Sequence, residues 1–260
     1  MNGDVVMLLA HISDIHIGGR QRNTDRILQV VTYLNALRHP VDAVLVTGDI
    51  ADHGEIEEYR IARELLECGY PVMTCPGNHD VRAAYCAVFL EEVYNGGPVN
   101  QVFDTGKATF ALCDSSIAGR LEGLLDDTTL EWLDDVLASG PPERPAFVCF
   151  HHPPVQLHSP ELDAIRLGEA ERVAELLARH RRVAAILCGH AHTAAASTFA
   201  GLPVRVAPGI ASTLRLPWET GALLDDRLPP ALAFHVLGDD RQVTTHYRVV
   251  TESGRRDAAR

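Results

Sequence analysis

Aspartate, asparagine and histidine residues fall in short groups along the chain, and each group directly follows an apolar run that predicts a buried strand. The groups read Asp14-Ile15-His16, Gly48-Asp49, Gly77-Asn78-His79-Asp80, His151-His152-Pro153-Pro154 and Gly189-His190-Ala191-His192. Open α/β sheets place their ligands beyond the carboxyl ends of their strands. Imidazole nitrogens and carboxylate oxygens gathered at such an edge predict a site for divalent cations.

The spacing within the groups indicates what each can bind. Asp14 and His16 are two residues apart, so in extended or loop backbone both side chains can turn to one side and hold one metal ion. His190 and His192 have the same spacing. Asp49 stands alone after its strand, and a carboxylate with two oxygens is suited to bridge two cations.

The elements that must position these residues alternate short β-branched runs with longer amphipathic stretches, which is typical of βα units around a buried sheet. In the first half the pattern predicts strands at residues 5–13, 42–47 and 70–75, and helices at 24–38, 55–67 and around 81–93. In the second half it predicts two strands meeting at Thr105-Gly106, a helix at 128–138, a strand at 146–150, a helix at 168–179, a strand at 183–188, and hairpins at 197–206 and 231–250. We expect a single domain over residues 1–260, with a frayed tail at 253–260.

Composition and charge limit the kinds of substrate and the cellular compartments that we expect for this protein. The chain has 260 residues, 46% of them hydrophobic, and a net charge of −12, which disfavours a nucleic acid polymer and favours a small substrate. The apolar run at residues 5–10 is too short to cross a membrane and lacks the features of a secretory signal, so we expect a soluble cytoplasmic protein. The six cysteines have no CxxC spacing; they predict reduced core thiols rather than the alternative, a redox or zinc-ribbon site.

In this order the motifs D-x-H, G-D, G-N-H-D, H-H-P-P and G-H-x-H resemble the signature blocks of the calcineurin-like metallophosphoesterases. The stretches G-D-I-A-D-H-G-E, C-P-G-N-H-D and L-C-D-S-S-I-A-G-R are similar to the branch of class III cyclic-nucleotide phosphodiesterases and glycerophosphodiesterases. The resemblance implies an α/β fold, a four-layer α/β/β/α sandwich, in which the C-terminal hairpin and tail at about 208–260 vary between relatives.

The resemblance also implies a binuclear centre. One metal ion would be held by Asp14, His16, Asp49 and His192, and the other by Asp49, Asn78, His151 and His190. The adjacent His152 is not chosen, because the matching motif has its ligand directly after the strand. Nitrogen and oxygen ligands without thiolate suit manganese, iron, zinc or cobalt, and the resemblance favours iron or manganese.

His79 resembles the family residue that stabilises the transition state or protonates the leaving oxygen, and Asp80 would orient it. His53 and His158 follow ligand groups in predicted loops and are candidates for the substrate pocket, as is Arg82. Arg20 and Asn23 are further pocket candidates.

The isolated histidines are not assigned to the site. His11 lies inside the first predicted strand and is interpreted as a structural residue. His235, with the remaining isolated histidines, is interpreted as a surface or satisfied polar residue.

These expectations predict hydrolysis of small phosphodiesters, first of all 3',5'-cyclic nucleotides of the cAMP type, by a metal-bridging hydroxide. Hydrolysis of glycerophosphodiesters, nucleotide pyrophosphates or phosphomonoesters is the alternative, because one metal core serves them all. A non-enzyme alternative is a metal-bound module that senses nucleotides; such a module would lack the bridge, a ligand or the proton donor. The resemblance also allows a homodimer.

Overall fold

The computed structural model describes residues 5–251, so the predicted tail lies outside the described residues. The strands are β1 Val5–Ile12, β2 Ala43–Thr47, β3 Val72–Cys75, β4 Gln101–Asp104, β5 Thr109–Leu112, β6 Ala146–Cys149, β7 Val183–Cys188, β8 Ala195–Phe199, β9 Leu202–Val206, β10 Thr213–Leu214, β11 Leu224–Asp225, β12 Ala231–Gly238 and β13 Val243–Val249. The helices are α1 Gln21–Asn35, α2 Ile56–Leu65, α3 Arg82–Tyr85, α4 Asp127–Ser139, α5 Pro160–Asp163 and α6 Ala170–Leu177, with a π-helical turn over Cys86–Leu90 after α3.

Two sheets carry the fold. The first has the order β13-β12-β1-β2-β3, and β1, β2 and β3 are parallel. The second has the order β4-β5-β6-β7-β9-β8, and β5, β6, β7 and β9 are parallel. The predicted ligand groups therefore follow the carboxyl ends of β1, β2 and β3 in one sheet and of β6 and β7 in the other.

Three apolar clusters define the layers. Between the sheets, Leu9 and Leu45 of the first sheet pack with Phe110 and Phe147 of the second, whose rings stack with centroids 5.0 Å apart. Helices α1 and α2 cover the outer face of the first sheet, and α4 and α6 cover that of the second. Parallel strands are apolar on both faces because each face is covered in this way. The predicted α/β/β/α sandwich is confirmed.

The predicted helix around residues 81–93 is interrupted. The α-helical part ends at Tyr85, the π-helical turn follows, and Glu91 closes it in the left-handed conformation, with a φ of 55°. Val93, which was expected inside the helix, is 96% exposed. Within residues 5–251 no helix is long and apolar enough to span a lipid bilayer.

His11 and His235 form a pair in the interior of the first sheet. Both are fully buried, and His11 Nδ1 lies 3.0 Å from His235 Nε2. Burial lowers the pKa of His235 to about 3, and burial together with His235 lowers the pKa of His11 well below its ordinary value. The structural role expected for His11 and the satisfied polar role expected for His235 agree with this arrangement.

The pair predicts a pH dependence of stability. An unfolded histidine takes up a proton as the pH falls through about 6.5, whereas folded His235 stays neutral until about pH 3, so its contribution to the free energy of unfolding is lost as the pH falls between these values. The slope approaches about 1.4 kcal/mol per pH unit. In urea unfolding followed by circular dichroism from pH 7.5 to 5, His235→Phe should show a shallower loss of stability than wild type. Parallel curves for the two proteins would contradict the assignment.

Candidate metal centre and active site

The loops after the strands have unusual backbone conformations at the predicted ligands. Left-handed φ values occur at Asp14 (55°), His16 (45°), Asp49 (49°), His190 (69°) and His192 (50°). Such conformations are uncommon for residues with a Cβ atom, and they cluster at functional sites. The backbone therefore turns sharply at each of these positions and brings side chains from separate strands to one place.

Two glycines allow the loops to approach closely. A Cβ atom on Gly48, whose φ is +87°, would lie 2.5 Å from His151 Nδ1. A Cβ atom on Gly77 would lie 2.2 Å from Asp49 Oδ1. A side chain at either position would collide with a neighbouring predicted ligand, which is why the motifs G-D and G-N-H-D need their glycines.

A first cluster of donor atoms contains Asp14, His16, Asp49 and His192. His16 Nε2 lies 3.2 Å from His192 Nε2 and 3.6 Å from Asp49 Oδ2. His192 Nε2 lies 3.5 Å from Asp14 Oδ1. These are the four residues expected around one metal ion.

A second cluster begins at the same oxygen of Asp49. Its Oδ2 atom lies 3.3 Å from His151 Nε2, which is 3.2 Å from His190 Nδ1. His190 Nδ1 is in turn 3.0 Å from Asn78 Oδ1. Asp49 therefore lies where the two clusters meet, which is the position expected for a bridging carboxylate.

His152 lies beside this cluster, with a ring nitrogen within 4.8 Å of ring nitrogens of His151 and His190, but its ring is hydrogen-bonded to other groups. Its Nδ1 contacts Ser115 Oγ at 2.8 Å, and its Nε2 contacts the carbonyl oxygen of Leu121 at 3.1 Å. Both ring nitrogens are occupied, which agrees with the choice of His151.

The donor atoms fit divalent cations. Ligand bonds of about 2.0–2.2 Å place neighbouring donor atoms roughly 3.0–3.6 Å apart, which is the separation found in both clusters. Among the described residues, Asp14 Oδ1 is buried without a hydrogen-bond partner. His151 Nδ1 donates to the carbonyl oxygen of Thr47 at 2.6 Å, so Nε2 is the ring nitrogen that faces the cluster, where a cation would take the place of its proton. The unpaired oxygen of Asp14 and the inward-facing nitrogen of His151 fit a cation bound among these residues.

The acidic and basic side chains of the clusters shift each other's pKa values. Burial by itself would raise the pKa of the Asp49 carboxyl, but His151 and His16 hold that pKa well below its usual range. Burial opposes protonation of His151, but Asp49 and Asp14 raise its pKa to about 9. The Asp49 carboxylate is consequently ionised at neutral pH, as a metal bridge requires.

Asp52, which the sequence did not single out, orients two histidines. Its Oδ1 accepts a hydrogen bond from His16 Nδ1 at 2.9 Å, and its main-chain oxygen accepts one from His79 Nδ1 at 2.9 Å. Asp80 has a different role from the one expected, because its carboxylate accepts hydrogen bonds from the backbone amides of Ile50, Ala51 and Gly77. Asp80 ties two loops together, and Asp52 orients His79. In the sequence, Asp52 could have been found from its place three residues after Asp49, in the pattern G-D-x-x-D.

This arrangement predicts the effect of removing the Asp52 carboxylate. Carboxylate partners of ligand histidines typically contribute 10- to 100-fold to metal affinity, so Asp52→Ala should weaken metal binding by roughly that factor. Asp52→Asn keeps an acceptor oxygen for His16 and should lose less. Competition titration of Mn²⁺ against a chelator measures both variants, and equal losses would argue against orientation through this hydrogen bond.

A cavity of about 300 Å³ opens beside the first cluster. Its walls include His16, Arg20, Asn23, Asp52, His79, His192, Ser212, Leu224 and Asp226. Arg20 forms an ion pair with Asp226, and Asn23 Nδ2 donates to the carbonyl oxygen of His16 at 2.8 Å. Two of the sequence-derived pocket candidates, Arg20 and Asn23, are therefore at the cavity.

The other pocket candidates, His53, Arg82 and His158, lie outside the cavity wall. His53 is exposed and contacts Glu58, with Nδ1 2.8 Å from the carboxylate. Arg82 pairs with buried Asp114 at 2.7 Å, and His158 is exposed on a loop with a φ of 59°. These three side chains do not line the cavity. Ser212 and Asp226 were missed, because they come from a segment with no ligand motif.

The chain is similar in sequence and in fold to known phosphoesterases. Residues 7–194 match the family described as calcineurin-like phosphoesterase. The chain is 32% identical over 241 residues to the glycerophosphodiester phosphodiesterase GpdQ of Enterobacter lignolyticus, covering 88% of this chain and 86% of the relative. It is 29% identical over 251 residues to the 3',5'-cyclic adenosine monophosphate phosphodiesterase CpdA of Pseudomonas aeruginosa, covering 93% and 89%. A dimetal phosphatase from Danio rerio has a similar fold, with a TM-score of 0.68 at 15% identity, covering 95% of this chain and 100% of that one.

The family match and the phosphodiesterase relatives, together with the donor clusters, identify a metal-dependent phosphodiesterase. The chain belongs to the calcineurin-like phosphoesterase family. The family, the enzyme class and the fold predicted from the motifs are confirmed.

Proposed function

We propose that this protein hydrolyses small phosphodiesters at a binuclear metal centre, with 3',5'-cyclic nucleotides as its main substrates. The observation that carries the proposal is the position of Asp49 Oδ2, 3.6 Å from His16 Nε2 in one cluster and 3.3 Å from His151 Nε2 in the other. The proposed ligands are Asp14, His16, Asp49 and His192 for one ion, and Asp49, Asn78, His151 and His190 for the other.

Two divalent cations held by these residues would supply an activated water and electrostatic stabilisation of the phosphate. His79 lines the cavity beside them, and its Nδ1 donates to the carbonyl oxygen of Asp52. With Nδ1 occupied, Nε2 is the nitrogen that can hold a proton and deliver it to the leaving oxygen. For a cyclic nucleotide, that oxygen is a ribose hydroxyl.

The cavity supports a nucleotide-sized substrate. Its volume is at the lower end of the usual range for small-molecule sites, roughly 300–1,000 Å³. Leu224 gives it an apolar surface, and Asn23 and Asp226 give it hydrogen-bonding groups, which together suit a base and a ribose. Relatives named for cyclic nucleotides, such as a 3',5'-cyclic-nucleotide phosphodiesterase from Nostoc at 32% identity over 203 residues and 74% of each chain, support this choice.

Glycerophosphodiesters are the second candidate, because the relative GpdQ matches 88% of the chain. The two candidates are separated by kcat/KM on a panel of cyclic nucleotides, glycerophosphodiesters, a nucleotide pyrophosphate and a phosphomonoester, using protein reconstituted with Fe²⁺ or Mn²⁺. We expect cyclic nucleotides to give the highest values. A higher kcat/KM for a glycerophosphodiester would reassign the substrate, and nucleotide binding without turnover would indicate a sensing module.

Several further properties belong to the same proposal. We propose iron or manganese as the metals, as the resemblance to the family implies; the donor set of nitrogen and oxygen without thiolate is compatible with either. We propose a cytoplasmic location, supported by all six cysteines being free and buried, as in a reducing compartment. We also propose a single domain over residues 1–260 and a homodimer. Light scattering of the purified protein tests the dimer.

A further inference from the structure

A buried chain of hydrogen bonds crosses the first sheet from its outer strand to the end of β2. Thr245 Oγ1 on β13 lies 2.8 Å from His235 Nδ1 on β12. His235 Nε2 lies 3.0 Å from His11 Nδ1 on β1, and His11 Nε2 lies 2.8 Å from Thr47 Oγ1 on β2. His11, His235 and Thr47 are fully buried, whereas Thr245 is partly exposed.

The hydrogen bonds in this chain run in one direction. Among the described residues, the hydrogen-bond partner of the Thr47 hydroxyl is His11 Nε2. If Nε2 donated, the Thr47 proton would be buried without an acceptor, which is costly. Thr47 therefore donates to His11, His11 Nδ1 donates to His235, and His235 Nδ1 donates to Thr245. The remaining proton of Thr245 is at the partly exposed end, where water can accept it.

Thr47 connects this chain to the second ligand cluster. Its carbonyl oxygen accepts hydrogen bonds from Ser13 Oγ at 2.9 Å and from His151 Nδ1 at 2.6 Å. The backbone turns directly after Thr47, with positive φ values at Gly48 and Asp49. Fixing the Thr47 side chain therefore restrains two neighbouring features. One is the Thr47 carbonyl oxygen, which orients His151, and the other is the turn that carries the proposed bridging carboxylate of Asp49.

We propose that His11 and His235 are positioning residues for the metal centre, acting through Thr47 on His151. The C-terminal hairpin β12–β13, which contributes no ligand, is then required for the geometry of the site, because His235 and Thr245 lie on it. The inference rests on the proposed binuclear centre. It predicts a loss confined to the ion bound by His151, since His16 and His192 are oriented by other groups, Asp52 and Ser212.

Two substitutions at one position test the connection. A glutamine amide reaches the level of the imidazole Nε2 and keeps the contact with Thr47, whereas an asparagine amide reaches the level of Nδ1 and keeps only the contact with His235. We expect His11→Asn to weaken binding of one of two Mn²⁺ ions about tenfold. His11→Gln keeps the contact with Thr47 but loses the one with His235, so its affinity should lie between those of His11→Asn and wild type. Chelator competition gives the two affinities, and the visible spectrum of the Co²⁺-loaded protein should change more in His11→Asn than in His11→Gln.

A second pair keeps the test decisive if the His11 variants do not fold. Thr47→Val removes the hydroxyl at constant shape and should reproduce the loss in His11→Asn, whereas Thr47→Ser should retain wild-type affinity. Leu45→Val, in the core between the sheets, is the control for stability: it should lower the melting temperature without changing either affinity. Wild-type affinities in His11→Asn or Thr47→Val would overturn the inference while leaving the binuclear centre intact. Failure of the wild type to bind two ions would instead overturn the proposed function and this inference with it.

Discussion

Asp49→Ala should remove the proposed shared ligand of the metal centre and lower kcat/KM by on the order of 10⁴-fold or more, about 5.5 kcal/mol of transition-state stabilisation. One oxygen, Oδ2, lies within 3.6 Å of His16 Nε2 and 3.3 Å of His151 Nε2. The other, Oδ1, accepts the backbone N–H of His79 at 2.9 Å. Removing this carboxylate therefore leaves both clusters incomplete and releases the loop that carries His79.

The measurement is metal content per protein by elemental analysis, together with kcat/KM on a cyclic nucleotide. Asp114→Asn is the matched control, because Asp114 is also a buried aspartate, paired with Arg82 at 2.7 Å outside both clusters. It should lower stability and keep two metal ions. Two ions at full occupancy in Asp49→Ala would show that this carboxylate is not the bridge.

Much of the site could be predicted because its residues follow strands that local patterns reveal. The parallel strands β1, β2, β3, β6 and β7 are short apolar runs, and each is followed by a ligand group. The carboxyl ends of the parallel strands converge, so side chains distant in sequence meet, as Asp14 and His192 do at 3.5 Å. Strand-end placement was therefore enough to anticipate one gathering of ligand-type residues, and the resemblance of the motifs to the family implied its division into two clusters.

The cavity wall was less predictable, for physical reasons. The hairpin of β10 and β11 has two residues in each strand, too few to show a period, and it contributes Leu224 beside Asp226. The acceptor for His79 is a main-chain oxygen of Asp52, which residue type does not reveal. The burial of His235 depends on His11, 224 positions away in the sequence. Such contacts are set by tertiary structure and not by local pattern.

His79→Ala should lower kcat on a diester with an alkoxide leaving group by about 10²–10⁴-fold, the usual contribution of general acid catalysis. The structure predicts that both metal ions stay bound in this variant. His79 contacts Asp49 through its backbone N–H, which alanine retains, and its ring contacts the carbonyl oxygen of Asp52 and the edge of His16. The substitution thus removes the imidazole without removing the hydrogen bond that holds the proposed bridge.

The leaving group decides whether the imidazole acts as an acid. An aryl diester releases a phenolate that needs little protonation, so its kcat should fall much less in His79→Ala than that of a cyclic nucleotide. His158→Ala is the control, because this histidine is exposed on a loop outside the cavity and should leave kcat unchanged on both substrates. Equal losses on the alkyl and aryl diesters would mean that His79 stabilises the phosphate itself. Loss of a metal ion would mean that its ring, and not its backbone, supports the centre.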